Sequence, residues 1–481
     1  MKKLVLISSI VLILLTLFTH YYGSIDIGDY ADSAKYLTGE YSAKIRVAHS
    51  FLYGLIHVPF LSLMHNFLIF KLTSLLFLFL IIYSIYIISN NKNAFLLSIL
   101  SPIVWYMAPW INPIQLASLL LLWAYFFIEK YDKTNKVYNL FLSGILIGLG
   151  IGIWNTLIYI GGALFFVFLF DKKFNQVIVG FISILIGLLP LFIVDYILFN
   201  FPFYTLLKTS SSQFLFIFLK QSIYSSNLSS SFRFLDILLI ILYLPFYFWL
   251  IYKPSFFKTN KKSVIFVSLS LIIILLNPQI RYSLIIFPII TILILKVISK
   301  DQIKKYLIFS GILLLITVIP YLVQINYQIN DSLSGFEIRE LIVNSNNLTL
   351  SSTFNDNLLS QDLNLISNEY PNQTFLVGNQ PDDYQLLAHY YWGNNINEFV
   401  SIQDYNLWLS NSSILFQKKF MPIPHIPDRR QIWIIGGMSK NEEDNTDYKN
   451  IQYALSINAP INSNNFTTIK KYNILYLSKK I

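Results

Sequence analysis

The 481-residue sequence has no cysteine and little charge. Without cysteine there can be no disulfide, no thiolate zinc site and no thiol nucleophile. Only 12% of residues are charged, about half of the roughly 25% usual in a soluble domain. No metal-ligand spacing, phosphate-cradling glycine loop or Ser/His/Asp arrangement stands out among the 18 glycines and 6 histidines. The net charge of +10 would point to nucleic acid if basic runs were interleaved with aromatics on polar segments. They are not: the lysines punctuate apolar stretches, which is a topology signal. What the chain has in quantity is apolar surface, with 55% hydrophobic and 17% aromatic residues. That is the composition of a polytopic membrane protein.

A helix needs about 20 residues to cross the hydrocarbon core. Apolar segments of that kind lie near 4–20, 67–88, 94–109, 112–128, 138–153, 155–170, 176–199, 234–252, 263–276, 282–297 and 306–325. The first follows "MKK" and reads as an uncleaved helix, because no small-residue cleavage pattern precedes "HYYGSIDIGD". The count is tested by charge. With the N-terminus in the cytoplasm, the inner loops hold Lys2 and Lys3, Lys92, Lys130, Lys133, Lys136, Lys172, Lys173, Lys253, Lys258, Lys261, Lys262, Lys300, Lys304 and Lys305. The short outer turns near 108–112, 153–155 and 277–281 hold Arg281 alone. This is the alternation the positive-inside rule demands.

The expected architecture is therefore an α-helical polytopic membrane domain over 1–325, with eleven spans and outer loops at 21–66 and 200–233. An extracytoplasmic domain would follow over 326–481. Within the first outer loop, "HSFLYGLIHVPFLSLMH" reads as a helix lying along the interface at 51–65. In the tail, β-rich runs "TFLVG", "EFVSI", "QIWIIGG" and "YNILYLS" alternate with helix-like "DDYQLLAHYYW" and "DYKNIQYALSI". Such alternation predicts a small α/β domain. His389, His425 and "PDRR" at 427–430 read as surface or packing groups.

Ionisable residues at membrane depth are costly and mark functional positions. Lys71, Asp195, Asp236 and Arg281 lie in or beside spans, all at the outer level. Snorkelling to the interface is the alternative account of each. None falls at mid-membrane, which argues against an ion-coupled transporter. On the same side, "SIDIGDYADSAKYLTGEY" sets Asp26, Asp29 and Asp32 directly after the first span. Asp29 and Asp32 have the spacing of a helix N-cap and its N3 acid. Asp26 precedes the cap, in the segment leaving the bilayer.

On these residues the sequence resembles the GT-C class of membrane glycosyltransferases, of the protein mannosyltransferase and aminoarabinose transferase type. The family's first outer loop carries an acid followed by stepped Tyr, Ala, Leu and Gly, here Asp26, Tyr30, Ala34, Leu37 and Gly39. "NAFLLSILSPIVWYMAP", "FLSGILIGLGIGIWNTLIYIGGALFFVF" and "GLLPLFIVDYILFNFPFYT" resemble successive later elements. "PQIRYSLIIFPIITILIL" resembles the helix with Arg281, Tyr282 and Pro288. The family's second acid is Ile27 here, with Asp29 further on, so the choice between Asp26 and Asp29 stays open. A double proline after the first loop is missing, although Arg46, His49 and Tyr53 occupy that region.

The resemblance implies inverting sugar transfer from a polyprenyl-phosphate donor to a lipid, glycan or protein acceptor outside the membrane. It implies a catalytic base at Asp26 or Asp29, and lipid-phosphate contacts from Arg281 and Tyr282, with Lys208 and Lys71 as lesser candidates. Tyr30, Arg46 and His49 would support the loop or the acceptor. No cofactor is implied, although some relatives use a divalent metal with their acids. The localisation implied is the cell membrane, with membrane lipids and no nucleic acid as partners. A flippase or transporter of lipid-linked sugars, a glycan ligase or polymerase, and a non-catalytic glycan-binding relative are the competing classes.

Overall fold

The computed structural model describes residues 2–18, 30, 33–34, 37–38, 50–61, 67–207, 237–238, 240–244, 256, 259–276, 278–322, 356–378, 396–401, 405, 433–434, 437–438, 448–457, 459–461 and 465–481. Most of the span expected at 234–252 and the helix-like stretch at 382–392 lie outside them. The chain divides into two units. One comprises Met1–Ser24, Ser50–Tyr53 and Pro59–Leu350; the other comprises Ile25–His49, Gly54–Val58 and Ser351–Ile481.

The first unit is helical. In order it contains α1 (Lys2–Phe18), α2 (Phe51–Leu61, whose middle belongs to the second unit), α3 (Phe67–Ser89), α4 (Asn93–Ile99), α5 (Pro102–Met107) and α6 (Ile114–Thr134). Then come α7 (Val137–Ile153), α8 (Leu157–Leu169), α9 (Phe174–Phe199), α10 (Lys261–Leu276), a 3-10 turn at Ile280–Tyr282, α11 (Ser283–Leu295) and α12 (Lys300–Leu322). Among the described residues three stretches are both long and apolar enough to cross a bilayer: Ile69–Ser89, Ile114–Thr134 and Phe174–Leu198. Several other apolar helices are shorter.

The membrane assignment is visible on α9. Phe181, Leu185, Leu189, Ile193 and Ile197 recur every four residues and all are exposed. A bare apolar stripe of that length calls for an apolar surrounding, and on a helix long and apolar enough to cross a bilayer that surrounding is lipid. The chain is an integral membrane protein. The opposite face of α9 packs on α7 through small residues. A Cβ on Gly148 would run into the Ile184 carbonyl and the Gly187 backbone, and one on Gly187 would meet the Ile145 carbonyl. Without a solvent-driven hydrophobic effect, such close backbone approach supplies dispersion contact between helices.

The hydrogen bonds explain why α6 is central. Ser118 Oγ donates to the Leu284 carbonyl of α11 at 2.9 Å. Trp123 Nε1 donates to Ser84 Oγ of α3 at 3.0 Å. Tyr125 OH donates to Ser263 Oγ of α10 at 2.8 Å. Ser143 Oγ of α7 donates to the Ala124 carbonyl at 2.9 Å. Each side-chain group finds a partner on a neighbouring helix, as an apolar solvent requires.

The single span expected at 94–109 is two helices. Pro102 sits in the first turn of α5, after an extended Ser101. Its ring cannot continue α4, because it lacks the N–H and clashes with the preceding turn. The Ile99 carbonyl left over at the break accepts Trp105 Nε1 at 2.7 Å.

The second unit contains α13 (Asp356–Glu369) and a sheet made of β1 (Gln373–Val377), β2 (Ile396–Ser401), β5 (Tyr453–Ile457), β6 (Phe466–Lys471) and β7 (Leu475–Lys480). The strand order is β2-β1-β5-β7-β6, with β1 parallel to β2 and β5, and β7 antiparallel to β5 and β6. Leu363 and Ile366 of α13 pack with Phe375, Val377, Leu455, Leu475 and Leu477. Buried Asp362 accepts the backbone N–H groups of Asn473, Ile474 and Leu475, at 3.2, 2.8 and 3.1 Å, which fixes the β6–β7 turn.

One expectation for the tail needs correction. "DYKNIQYALSI" is a short 3-10 turn at Tyr448–Asn450 followed by strand β5. The β-rich run "QIWIIGG" holds β3 (Trp433–Ile434) and the first residue of β4 (Gly437–Met438), which pair in a separate two-stranded sheet.

Candidate functional site

The loops of the helical unit gather at two ends with different chemistry. At one end, Lys172 and Lys262 both reach Asp132, at 3.0 and 2.9 Å, and Lys262 also reaches Asp171 at 2.9 Å. Glu129 takes Lys133 at 2.7 Å and Lys296 at 3.1 Å. The residues come from the end of α6, the α8–α9 turn, the start of α10 and the end of α11. The hydrogen bond from Lys262 holds the Asp171 carboxyl below its ordinary range.

The opposite end is aromatic and carries Arg281. This residue lies in the 3-10 turn, mostly buried, just before α11. Its Nε donates to Gln279 Oε1 at 2.8 Å. Its Cζ lies 5.8 Å from the centre of the Trp110 ring and 5.5 Å from that of Tyr282, within the ~6 Å reach of a cation–π contact. The Trp154 ring stands 5.3 Å from the Tyr282 ring, and the Tyr106 ring 5.2 Å from that of Trp110.

The turn that presents Trp110 is tied down. Gln115 Nε2 donates to the Trp110 and Met107 carbonyls, at 3.1 and 3.3 Å. Asn112 Oδ1 accepts the Ile114 N–H at 3.0 Å, which starts α6.

Beside this cluster, Asp195 of α9 is fully buried. Its two oxygens accept the Thr205 N–H at 2.9 Å and the Thr205 hydroxyl at 2.5 Å. Asn155 Nδ2 donates to the Thr205 carbonyl at 3.4 Å. The turns near 110, 155, 203 and 280 are thus joined through tryptophan, arginine and an aspartate-held threonine.

The other sequence candidates fall as follows. Asp26, Asp29, Arg46, His49 and Lys208 lie outside the described residues, as does Asp236. Tyr30 is buried, and its carbonyl accepts Ser33 Oγ at 2.8 Å. Lys71 is buried near the start of α3 and donates Nζ to the Thr16 carbonyl at 3.2 Å. That bond satisfies a carbonyl in the last turn of α1, one of the groups a helix terminus leaves over. Arg281 and Tyr282 are brought together; the Lys71 bond leads instead to α1.

Sequence reading missed Trp110, Trp154, Gln279 and Thr205. The only signal was the placing of both tryptophans in short turns on the arginine side. Among the described residues no group of three His, Asp or Glu is placed to hold a metal ion.

No family model matches the chain, and no curated protein does. Two solved structures align with all of it. The crystal structure of ArnT from Cupriavidus metallidurans bound to undecaprenyl phosphate superposes with a TM-score of 0.60 at 12% identity. ArnT in the apo state gives 0.62, also at 12%. Each alignment covers 100% of this chain and 98% of ArnT. At that identity the likeness establishes the fold alone, which this chain shares with ArnT.

Proposed function

We propose that the chain is an integral membrane glycosyltransferase that takes a sugar from a polyprenyl-phosphate carrier. The observation that carries this reading is Arg281, a mostly buried guanidinium cradled by Trp110 and Tyr282, at the end of the helical unit opposite the lysine–carboxylate pairs. A fold shared end to end with ArnT, a protein crystallised with undecaprenyl phosphate, supports the choice of ligand. By the positive-inside rule the lysine-rich end faces the cytoplasm and the arginine end faces outward. The catalytic domain is taken to be 1–325 and the extracytoplasmic domain 326–481.

The chemistry is an inverting displacement. The acceptor hydroxyl oxygen attacks the anomeric carbon while the bond from that carbon to the phosphate oxygen breaks. The electron pair leaves on the lipid phosphate. The hydroxyl proton passes to Asp26, with Asp29 as the alternative base or its orienting partner. Phosphate is already a good leaving group, so one carboxylate suffices where hydrolytic glycosidases need two. The charge gained by the departing phosphate calls for a cation that cannot deprotonate, and a guanidinium meets phosphate oxygens in a two-pronged fashion. Lys208 is a secondary contact, whereas Lys71, bonded to the Thr16 carbonyl, is left to tie α3 to α1; Arg46, His49 and Tyr30 support the loop. With charge supplied by Arg281, the reading requires no metal, and activity should survive chelation.

The test is Asp26→Asn and Asp29→Asn in membranes given labelled polyprenyl-phosphate sugars. Loss of transfer by at least about 10²-fold in Asp26→Asn, with insertion and expression intact, supports the assignment. Full activity in both variants removes the base from this loop.

A further inference from the structure

We propose that Trp110 and Gln279 are positioning residues that fix the plane and rotation of the Arg281 guanidinium for the carrier phosphate. The inference rests on the reading that Arg281 meets that phosphate, and it adds two residues from separate segments to the donor site.

An arginine side chain has several rotatable bonds and loses rotamer freedom when held. Here it is held from two directions. Gln279 is in extended backbone before the 3-10 turn, and its carbonyl accepts the Tyr282 N–H at 3.0 Å. Its side-chain oxygen accepts Nε–H of Arg281 at 2.8 Å, so rotation about the last bonds of the arginine is restrained. Trp110 lies under the guanidinium with its centroid 5.8 Å from Cζ. Trp110 is itself fully buried, and Gln115 and Tyr106 hold its turn and its ring.

The division of labour follows from the geometry of the group. All guanidinium N–H bonds lie in one plane, so hydrogen-bond acceptors approach in that plane and the two faces are left for rings. A ring on a guanidinium face does not compete with an anion for the in-plane N–H groups. With Nε–H held by Gln279, the guanidinium cannot turn freely about its last bonds. A phosphate clamped on a fixed edge is oriented as well as attracted, which a lysine at this position could not achieve.

The experiment compares binding of undecaprenyl phosphate and of uncharged undecaprenol to the purified full chain in detergent. The variants are Arg281→Ala, Gln279→Met, Trp110→Leu and Trp110→Phe. Gln279→Met keeps the length and removes the acceptor; Trp110→Leu removes the ring face that Trp110→Phe retains. We expect Gln279→Met and Trp110→Leu to weaken undecaprenyl phosphate about tenfold, to leave undecaprenol within about twofold, and Trp110→Phe to stay within about threefold of the parent. A purely structural role would weaken both lipids together. Equal loss for both lipids overturns the proposal, as does a Trp110→Phe as impaired as Trp110→Leu. So does parental phosphate binding in Gln279→Met and Trp110→Leu while Arg281→Ala loses it. If Arg281→Ala itself binds undecaprenyl phosphate like the parent, the underlying placement of the phosphate fails instead.

Discussion

Glu369, at the end of α13, accepts Lys470 Nζ through both oxygens, at 2.6 and 2.7 Å, and the Tyr472 hydroxyl at 2.8 Å. The Lys470 bond, then the Tyr472 bond, hold its carboxyl below its ordinary value of 4.5. A carboxylate whose folded pKa is depressed adds stability above its unfolded pKa, and loses it as pH falls through the folded value. The pair is part-exposed and screened, so the effect is small. Glu369→Gln should exchange β6 and β7 amides about twofold faster than the parent at pH 7, with the difference gone near pH 3. A difference that persists in acid would mean that packing, not charge, links α13 to the strand. At this same scale the sequence made Arg281 conspicuous, as the one basic residue of the short outer turns. Trp110 could not be told from an ordinary interfacial tryptophan, because what distinguishes it is a contact with a residue far away in the chain. The acids of the first loop were legible as a cluster, but the choice between Asp26 and Asp29 as the proposed base depends on geometry that no spacing encodes.

Helices were easier to read than their contacts. The bounds of α1, α3, α7 and α9 lie within a few residues of the apolar runs, because burial in lipid rewards uninterrupted apolar sequence. The break at Pro102 was written in the chain, but the run of apolar residues across it hid the stop. Strand β5 was misread for a related reason. Tyr448, Ile451, Ala454 and Leu455 fall at helical spacing, yet Tyr453–Ile457 pairs with β1 on one side and β7 on the other. A strand buried on both faces loses the period-two pattern that identifies it. Small residues decide how the membrane helices meet. Gly148→Ala forces a Cβ against the backbone of α9 and should destabilise the detergent-solubilised protein by about 2 kcal/mol. Gly162→Ala meets nothing within 4 Å and should be neutral or stabilising by up to ~1 kcal/mol, since alanine is the better helix former. Thermal melts of the two variants would separate these outcomes; equal midpoints would deny that α7 and α9 pack through glycine.

For the whole molecule, the charge alternation carried more information than any motif. Lysines assigned to separate inner loops, Lys133, Lys172 and Lys262, meet the acids of one end of the helical unit, where Lys296, read as part of a span, joins them. The turns assigned to the outside meet around Arg281. That agreement across α6–α11 would be lost if one helix had been missed or invented. Orientation can be read directly, because the chain has no cysteine and a single introduced thiol is labelled without background. Lys136→Cys should resist a membrane-impermeant thiol reagent in intact cells and react in inverted vesicles. Ile481→Cys, exposed at the C-terminus, should show the reverse. Labelling of Lys136→Cys in intact cells would overturn the assignment of the arginine end to the outer face, and protection of Ile481→Cys there would overturn the outer placement of the C-terminus.

The central claim is that the outer, arginine-bearing end turns over a polyprenyl-phosphate sugar. It is tested most directly by giving the purified chain, in liposomes with candidate acceptor lipids and glycans, a polyprenyl-phosphate sugar labelled in both sugar and carrier. The account predicts that sugar label moves to acceptor as free polyprenyl phosphate appears in equal amount. It also predicts that Arg281→Ala lowers the rate by at least about 10²-fold and that Arg281→Lys does not restore it. Carrier that stays loaded with every sugar and acceptor offered, or turnover that Arg281→Ala leaves unchanged, would contradict it.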